Sequence, residues 1–176
     1  MARNIEIKAR ITDIDTCMHT AEKLSGSTPD ILHQTDYFFY CSNGRLKLRV
    51  FSPEKGELIF YKRDDCTGPG TSEYEISATQ QPEKLLRLME KACGIRGVVR
   101  KTRTLFIAGR TRIHIDRVEN LGDFLELEVV LSANETAENG ISEAGRLMEQ
   151  LGIKERNLVD CAYIDLIETQ RNSTQE

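Results

Sequence analysis

Charged side chains recur at alternate positions in segment after segment of this chain, and their types suggest what they could bind. NIEIKAR, residues 4–10, carries Glu6, Lys8 and Arg10; RLKLR, 45–49, carries Arg45, Lys47 and Arg49; ELIFYKRD carries Lys62; SEYEIS carries Glu73 and Glu75. Lys101 and Arg103 follow, then Arg112, His114 and Asp116, then Glu126 and Glu128. Residues two apart on a strand share one face. Two carboxylates so placed can share a hard divalent cation such as Mg²⁺. Arg and Lys at the same spacing offer rows of donors to phosphate oxygens, with Arg able to bind in a forked geometry.

Two arrangements could present these residues. In the first, each strand has one wet face, and Lys and Glu pair across strands for a few tenths of a kcal/mol. Such a face would also draw freely on Thr, Ser, Gln and Asn, whereas here Arg, Lys and Glu recur at the same i, i+2 positions. In the second, the sheet curls with its charged face inward and its apolar face under helices. Buried charges must then be paired or liganded. A solvated tunnel holding a polyphosphate with a divalent metal meets that demand.

The elements that would position these residues can be read from periodicity and turn signals. Strands are expected at 4–11, 34–40, 45–51, 57–64, 72–77, 98–107, 111–118 and 124–131. Ser-Asn-Gly at 42–44 and the Pro53–Gly56 segment read as turns, and Thr-Gly-Pro-Gly-Thr at 67–71 as a loop. A helix begins after Thr12 or Asp13 and stops at Gly26; a second opens at Pro82 and stops at Gly94. Two more are expected at about 135–151 and 157–168, before a polar tail, 170–176, that is expected to be disordered. Eight strands joined mainly by short turns predict an α+β fold with an antiparallel sheet, and closure into a barrel removes its edges. One domain over 1–169 suits the length of 176 residues.

Composition narrows the function classes. The net charge of −4 argues against a surface built to hold nucleic acid, though not against a local basic site. No apolar run reaches the length of a membrane span, and MARNIEIK lacks the apolar core of a signal peptide, so a cytoplasmic protein is expected. The five cysteines are widely spaced with no CxxC pair, which reads as reduced structural thiols rather than a zinc site. His19, His33 and His114 show no metal-ligand spacing.

NIEIKAR resembles the ExExK signature of the CYTH superfamily, named for class IV adenylyl cyclases and thiamine triphosphatases and also called triphosphate tunnel metalloenzymes. DYFF at 36–39, RLKLR at 45–49, YKR at 61–63, SEYEI at 72–76 and KTR at 101–103 fall in the family's order, and HIDRVENLGDFLELE, 114–128, is the most specific block. The resemblance implies an eight-stranded tunnel. It implies Mg²⁺ or Mn²⁺ on Glu6, Glu126 and Glu128, with Asp116 contributing to a second cation. It assigns Lys8, Arg45, Lys47, Arg49, Lys62, Lys101, Arg103 and Arg112 to the triphosphate. Glu73 and Glu75 match an acidic strand that fixes basic groups or orients water, and join Lys8 and Lys62 in the expected catalytic set. Asn4 departs from the signature, whose first position is Glu, and offers a metal no charge. The substrates implied are ATP, thiamine triphosphate or inorganic triphosphate, consumed by cyclisation or hydrolysis; a homodimer is one assembly the chain could form. A non-catalytic polyphosphate- or nucleotide-binding module is the alternative.

Overall fold

The computed structural model describes residues 2–63 and 68–173. Cys66, the first residue of the expected 67–71 loop, and the end of the tail lie outside the described residues. Eight antiparallel strands form a closed barrel: β1 (Ala2–Arg10), β2 (Asp30–Phe39), β3 (Arg45–Ser52), β4 (Lys55–Arg63), β5 (Gly70–Thr79), β6 (Ile95–Ala108), β7 (Thr111–Val118) and β8 (Gly122–Val130). Around the barrel the order is β1-β5-β4-β3-β2-β6-β7-β8. The helices are α1 (Ile14–Ser25), α2 (Pro82–Cys93), α3 (Ala137–Gln150) and α4 (Tyr163–Ser173).

Local chemistry sets the helix ends. Asp13 caps α1 by accepting from the Thr16 amide at 3.0 Å, and Gly26 closes it in the left-handed region at φ 65°. Pro82 opens α2 at its first turn. The last helix begins later than expected. A 3₁₀ turn at Glu155–Asn157 precedes it, and it runs on to Ser173, past the expected end near 168.

Helices pack on the barrel wall, with α2 against β2, β3 and β4. α1 packs over β6 and β7, and α3 over β1 and β8. The outward side chains there are apolar: Ile7, Phe106, Ile113, Ile115, Leu125 and Leu127 form a core with Cys17 and Ala21 of α1 and Leu147 of α3. Gly140 lets α3 press on β1, since a Cβ there would sit 2.6 Å from Ile5 Cγ1 and 2.8 Å from Leu131 Cδ2. The outer face of β5 is uncovered, with Glu75 and Ser77 exposed.

A second core closes one end of the barrel. Inward residues Phe38, Val99, Val118 and Phe124 pack with Ala162, Tyr163 and Ile164 at the start of α4. Arg96 ties this helix down through Asp165 and Glu168, each at 2.6 Å, and Arg45 reaches Asp165 at 3.1 Å. Among the described residues no helix is long and apolar enough to cross a membrane. Among the described residues Cys17, Cys41 and Cys93 form no disulfide.

Candidate active site

The barrel encloses a cavity of about 290 Å³ lined by inward residues from all eight strands. Its wall is charged. β1 contributes Glu6 and Lys8; β3 Arg45, Lys47 and Arg49; β6 Lys101 and Arg103; β7 Arg112 and His114; β8 Glu126 and Glu128. The charged face therefore turns inward on these strands, as the second arrangement requires. A larger outer groove of about 750 Å³ runs between β2 and α2. Its Arg100, Arg117, Glu83 and Glu119 are exposed, so it lacks this convergence of buried charge.

Two buried carboxylates hold most of the cations in place. Asp36 accepts from Arg49 Nε at 2.8 Å and Nη2 at 2.9 Å, and from Lys47 at 3.0 Å. Burial pushes the Asp36 carboxyl up, but the charges of Arg49, Lys47 and Lys101 outweigh it and hold the group well below the usual carboxylate range. Asp116 takes a bidentate pair from Arg103 at 2.7 and 2.6 Å and a hydrogen bond from the Tyr163 hydroxyl at 2.9 Å. Burial raises this carboxyl too, and Arg103 and Lys101 bring it down to about 2. Lys101 lies 3.6 Å from Asp116 and 3.8 Å from Asp36; burial and the neighbouring Arg103 bring it down to about 7. Lys8 Nζ donates to the Cys161 carbonyl at 3.0 Å, pairs with Glu126 at 3.3 Å and sits 4.2 Å from the Tyr163 ring centroid.

A cluster of metal-ligating groups lies on the β7–β8 wall. His114, Glu126 and Glu128 offer ligand atoms within 4.8 Å of one another. His114 is paired in register with Glu126, and its Nδ1 has no hydrogen-bond partner among the described residues. Burial, then Arg103, lowers the imidazole's pKa, which favours the neutral form that binds metal. Glu6 adjoins the cluster: burial, then the charges of Glu128 and Glu126, push its carboxyl up to about 7 against the pull of Arg63. An orphaned ring nitrogen beside crowded carboxylates fits a divalent cation, which would relieve both defects.

Some expected residues lie elsewhere. Lys62, Glu73 and Glu75 belong to the outer register of β4 and β5; Lys62 and Glu75 are exposed, and Lys62 stands opposite Glu73. The residues of these strands that line the lumen are Glu57, Ile59, Tyr61 and Arg63 of β4 and Ser72, Tyr74 and Ile76 of β5. Asp116 is not part of the His114–Glu126–Glu128 group; Tyr163 and Arg103 engage its oxygens, and Arg103 also donates to Glu126. Asn4, with its amide oriented to suit its neighbours, donates to the Arg3 carbonyl at 3.0 Å and accepts from Arg112 Nη2 at 3.3 Å. Its oxygen is thus directed at a cation of the wall.

The reading of the residues missed Arg63 and the ligand geometry of His114. Arg63 lies next to Lys62 in YKR, and only the strand's phase tells them apart. The His114 signal was its position two residues before Asp116 on a strand facing Glu126 and Glu128.

A closed barrel with a buried, mixed-charge lumen defines a class of tunnel proteins in which a polyanion can be held from all sides. The CYTH domain model matches residues 2–163, and the chain belongs to that family. A relative from Methanocaldococcus jannaschii, named as a candidate adenylate cyclase, is 24% identical over 92% of this chain and 97% of its own. The solved PH1012 protein of Pyrococcus horikoshii is 26% identical, with a TM-score of 0.81 over 93% of this chain and 98% of that one. A Hippeastrum protein described as a candidate adenylyl cyclase with dominant triphosphatase activity shares the fold at 15% identity, with a TM-score of 0.64 over 97% of this chain and 96% of that one.

Proposed function

We propose that the protein is a metal-dependent enzyme acting on a triphosphate bound in the tunnel. The observation that carries this reading is the convergence of Lys47, Arg49, Lys101 and Arg103, all largely buried, on a lumen that also holds Glu6, Glu126 and Glu128. A polyanion would complete the charge balance of such a site, and buried donors aimed at phosphate oxygens act without the reorganisation water would need.

The tunnel residues have distinct parts in this reading. The Asp36 and Asp116 carboxylates hold the Arg49 and Arg103 guanidiniums in place before substrate arrives. Lys8, fixed by the Cys161 carbonyl and the Tyr163 ring, presents a positive charge beside Glu126. Glu126, Glu128 and His114, with Glu6 beside them, would hold Mg²⁺ or Mn²⁺; such a cation supplies charge neutralisation on phosphate oxygens.

Two reactions suit this arrangement. Water attack on the terminal phosphorus, with the bridging oxygen leaving on the diphosphate, is hydrolysis. Attack of a ribose 3′-hydroxyl on the α-phosphorus of ATP, with pyrophosphate leaving, is cyclisation. Purified protein is to be incubated with ATP, inorganic triphosphate and thiamine triphosphate, each with Mg²⁺ and with Mn²⁺. Cyclic AMP with pyrophosphate identifies the cyclase and orthophosphate the hydrolase. Tight binding with no turnover under either metal would refute the catalytic reading and leave a binding module.

A further inference from the structure

Two cysteines distant in sequence meet where the end of α2 reaches the β2–β3 turn. β2 and β6 pair antiparallel, with Phe39 opposite Ile95. The ladder runs one step further, where the Tyr40 amide donates to the Gly94 carbonyl at 3.3 Å. Cys41 follows Tyr40 and Cys93 precedes Gly94, so both cysteines are next neighbours of one joined pair. Gly94 permits the close approach: its φ is 76°, and a Cβ there would lie 3.3 Å from Tyr40 Cδ2.

The faces agree as well. On β2, Gln34, Asp36 and Phe38 line the lumen, so Thr35, Tyr37 and Phe39 face outward, and the same alternation carries Cys41 to the outer face. α2 lies on that face, against β2, β3 and β4. Its buried and half-buried residues, Pro82, Leu85, Leu86, Met89 and Cys93, follow helical spacing, so Cys93 ends the stripe that meets the barrel. Cys41 is exposed and Cys93 half-buried. Within α2 only Pro82 is buried, so the helix is anchored at its start and loosely held at Cys93. Opposed Cα atoms in an antiparallel ladder lie about 4.5–5.5 Å apart, which a disulfide spans. The loosely held helix end gives the adjustment that leaving the ladder at Gly94 requires.

We propose that Cys41 and Cys93 are a reversible dithiol site, which hydrogen peroxide converts to an intrachain disulfide clasping the end of α2 to the β2–β3 turn. Cys41, the exposed thiol, reacts first. Its thiolate attacks one peroxide oxygen, the O–O bond breaks and hydroxide leaves, giving a sulfenic acid. The Cys93 thiolate then attacks the Cys41 sulfur; the S–O bond breaks, the S–S bond forms and a second hydroxide leaves. The two thiol protons turn the hydroxides into water, so the dithiol loses two electrons and one peroxide becomes two waters. A small dithiol reverses the oxidation by exchange.

The test treats the full chain with hydrogen peroxide, blocks the remaining thiols and maps unreduced peptides by mass spectrometry. The expected product is a peptide pair joined through Cys41 and Cys93. The link closes a loop containing β3, β4, β5 and α2, so the melting temperature should rise by about 5 °C or more, and dithiothreitol should undo both changes. Cys93→Ser should abolish the cross-link and leave Cys41 as a sulfenic acid that dimedone captures. Cys41→Ser should abolish the cross-link and leave little for dimedone at Cys93. Cys41 joined instead to Cys66 or to a second chain would overturn the proposal. So would a parent protein in which Cys41 oxidises without acquiring a partner, or one whose Cys41 peroxide leaves untouched.

Discussion

Replacing Asp36 by Asn changes one atom's charge and almost no volume, so it isolates what that carboxylate does. Asp36 is 1% exposed and is held between Arg49 at 2.8 and 2.9 Å, Lys47 at 3.0 Å and Lys101 at 3.8 Å. Its ionised form is favoured by these three cations against the opposing effect of burial. The stability it contributes is therefore present above the ordinary carboxylate pKa and is lost as pH falls through its depressed value in the folded protein. Asp36→Asn removes that contribution at every working pH and leaves three buried cations facing one another. Breaking a buried ion pair by removing one partner costs about 3–5 kcal/mol. For a chain of this size each kcal/mol is worth about 2–4 °C, so the melting temperature should fall by about 10 °C. The variant lumen is also one unit more positive, so inorganic triphosphate should stabilise the variant more than the parent. Ligand at about a hundredfold over its dissociation constant restores roughly 2.7 kcal/mol. Urea unfolding at pH 7 in a phosphate-free buffer, with and without triphosphate, reads both effects. A loss below about 1 kcal/mol would show that the cations do not depend on Asp36, and the account of the preorganised lumen would fail.

The pH response of the metal-free protein follows from Glu6 and Lys101, brought to about 7 from opposite directions. The raised Glu6 pKa gives stability that is fully present below the ordinary carboxylate pKa and lost as pH rises through 7. Lys101, with its pKa lowered, penalises the folded state below 7, and that penalty is relieved as pH rises from there toward the ordinary lysine value. Both groups make the lumen more negative above pH 7, so metal-free triphosphate affinity should drop from pH 6 to pH 8 by about tenfold or more, and Glu6→Gln should blunt the drop; a flat calorimetric profile would contradict this. Lys62→Ala should leave triphosphate affinity within about twofold of the parent, since its exposed side chain points away from the lumen. A loss of about tenfold or more would reverse the assigned phase of β4. Gly140→Ala should destabilise the protein by about 1–3 kcal/mol through overpacking, with lumen binding retained, because the added methyl would press on Ile5 and Leu131 rather than on the site; thermal unfolding beside calorimetry separates the two.

Much of the barrel was legible because β1, β6, β7 and β8 each have one face that is apolar and one that is charged. For Ile5, Ile7, Ile113, Ile115, Leu125 and Leu127 the apolar face had to meet helices, so Glu6, Lys8, Arg112, His114, Glu126 and Glu128 had to face the lumen. The free-standing signals of α1 and α2, Asp13 with Gly26 and Pro82, marked those helices equally well. The contacts of the plug were not legible, because Tyr163 resembles any packing aromatic until Phe124 is seen 4.9 Å away and Asp116 beneath its hydroxyl. The link from Cys161 to Lys8 spans 153 positions and leaves no local trace.

The strands that misled are β4 and β5, and on β5 the premise of a covered outer wall fails. The rule that charge faces inward presumes helices outside, and β5 has open solvent there. With water outside, Glu75 gains most by facing out, and Tyr74 then turns into the lumen, where its hydroxyl accepts from Arg112 at 3.3 Å. β4 lacks even a clear alternation: Leu58, Ile59, Phe60 and Tyr61 run together, so either phase buries something apolar. Its phase comes from its neighbours, since Tyr61 stands between Arg45 on β3 and Tyr74 on β5, both inward. Once Tyr61 faces in, Lys62 must face out and Arg63 in. One residue of phase thus decides whether a mobile ammonium or a forked guanidinium faces the lumen, and the donors of Arg63 that lack partners among the described residues are the physical trace of that choice.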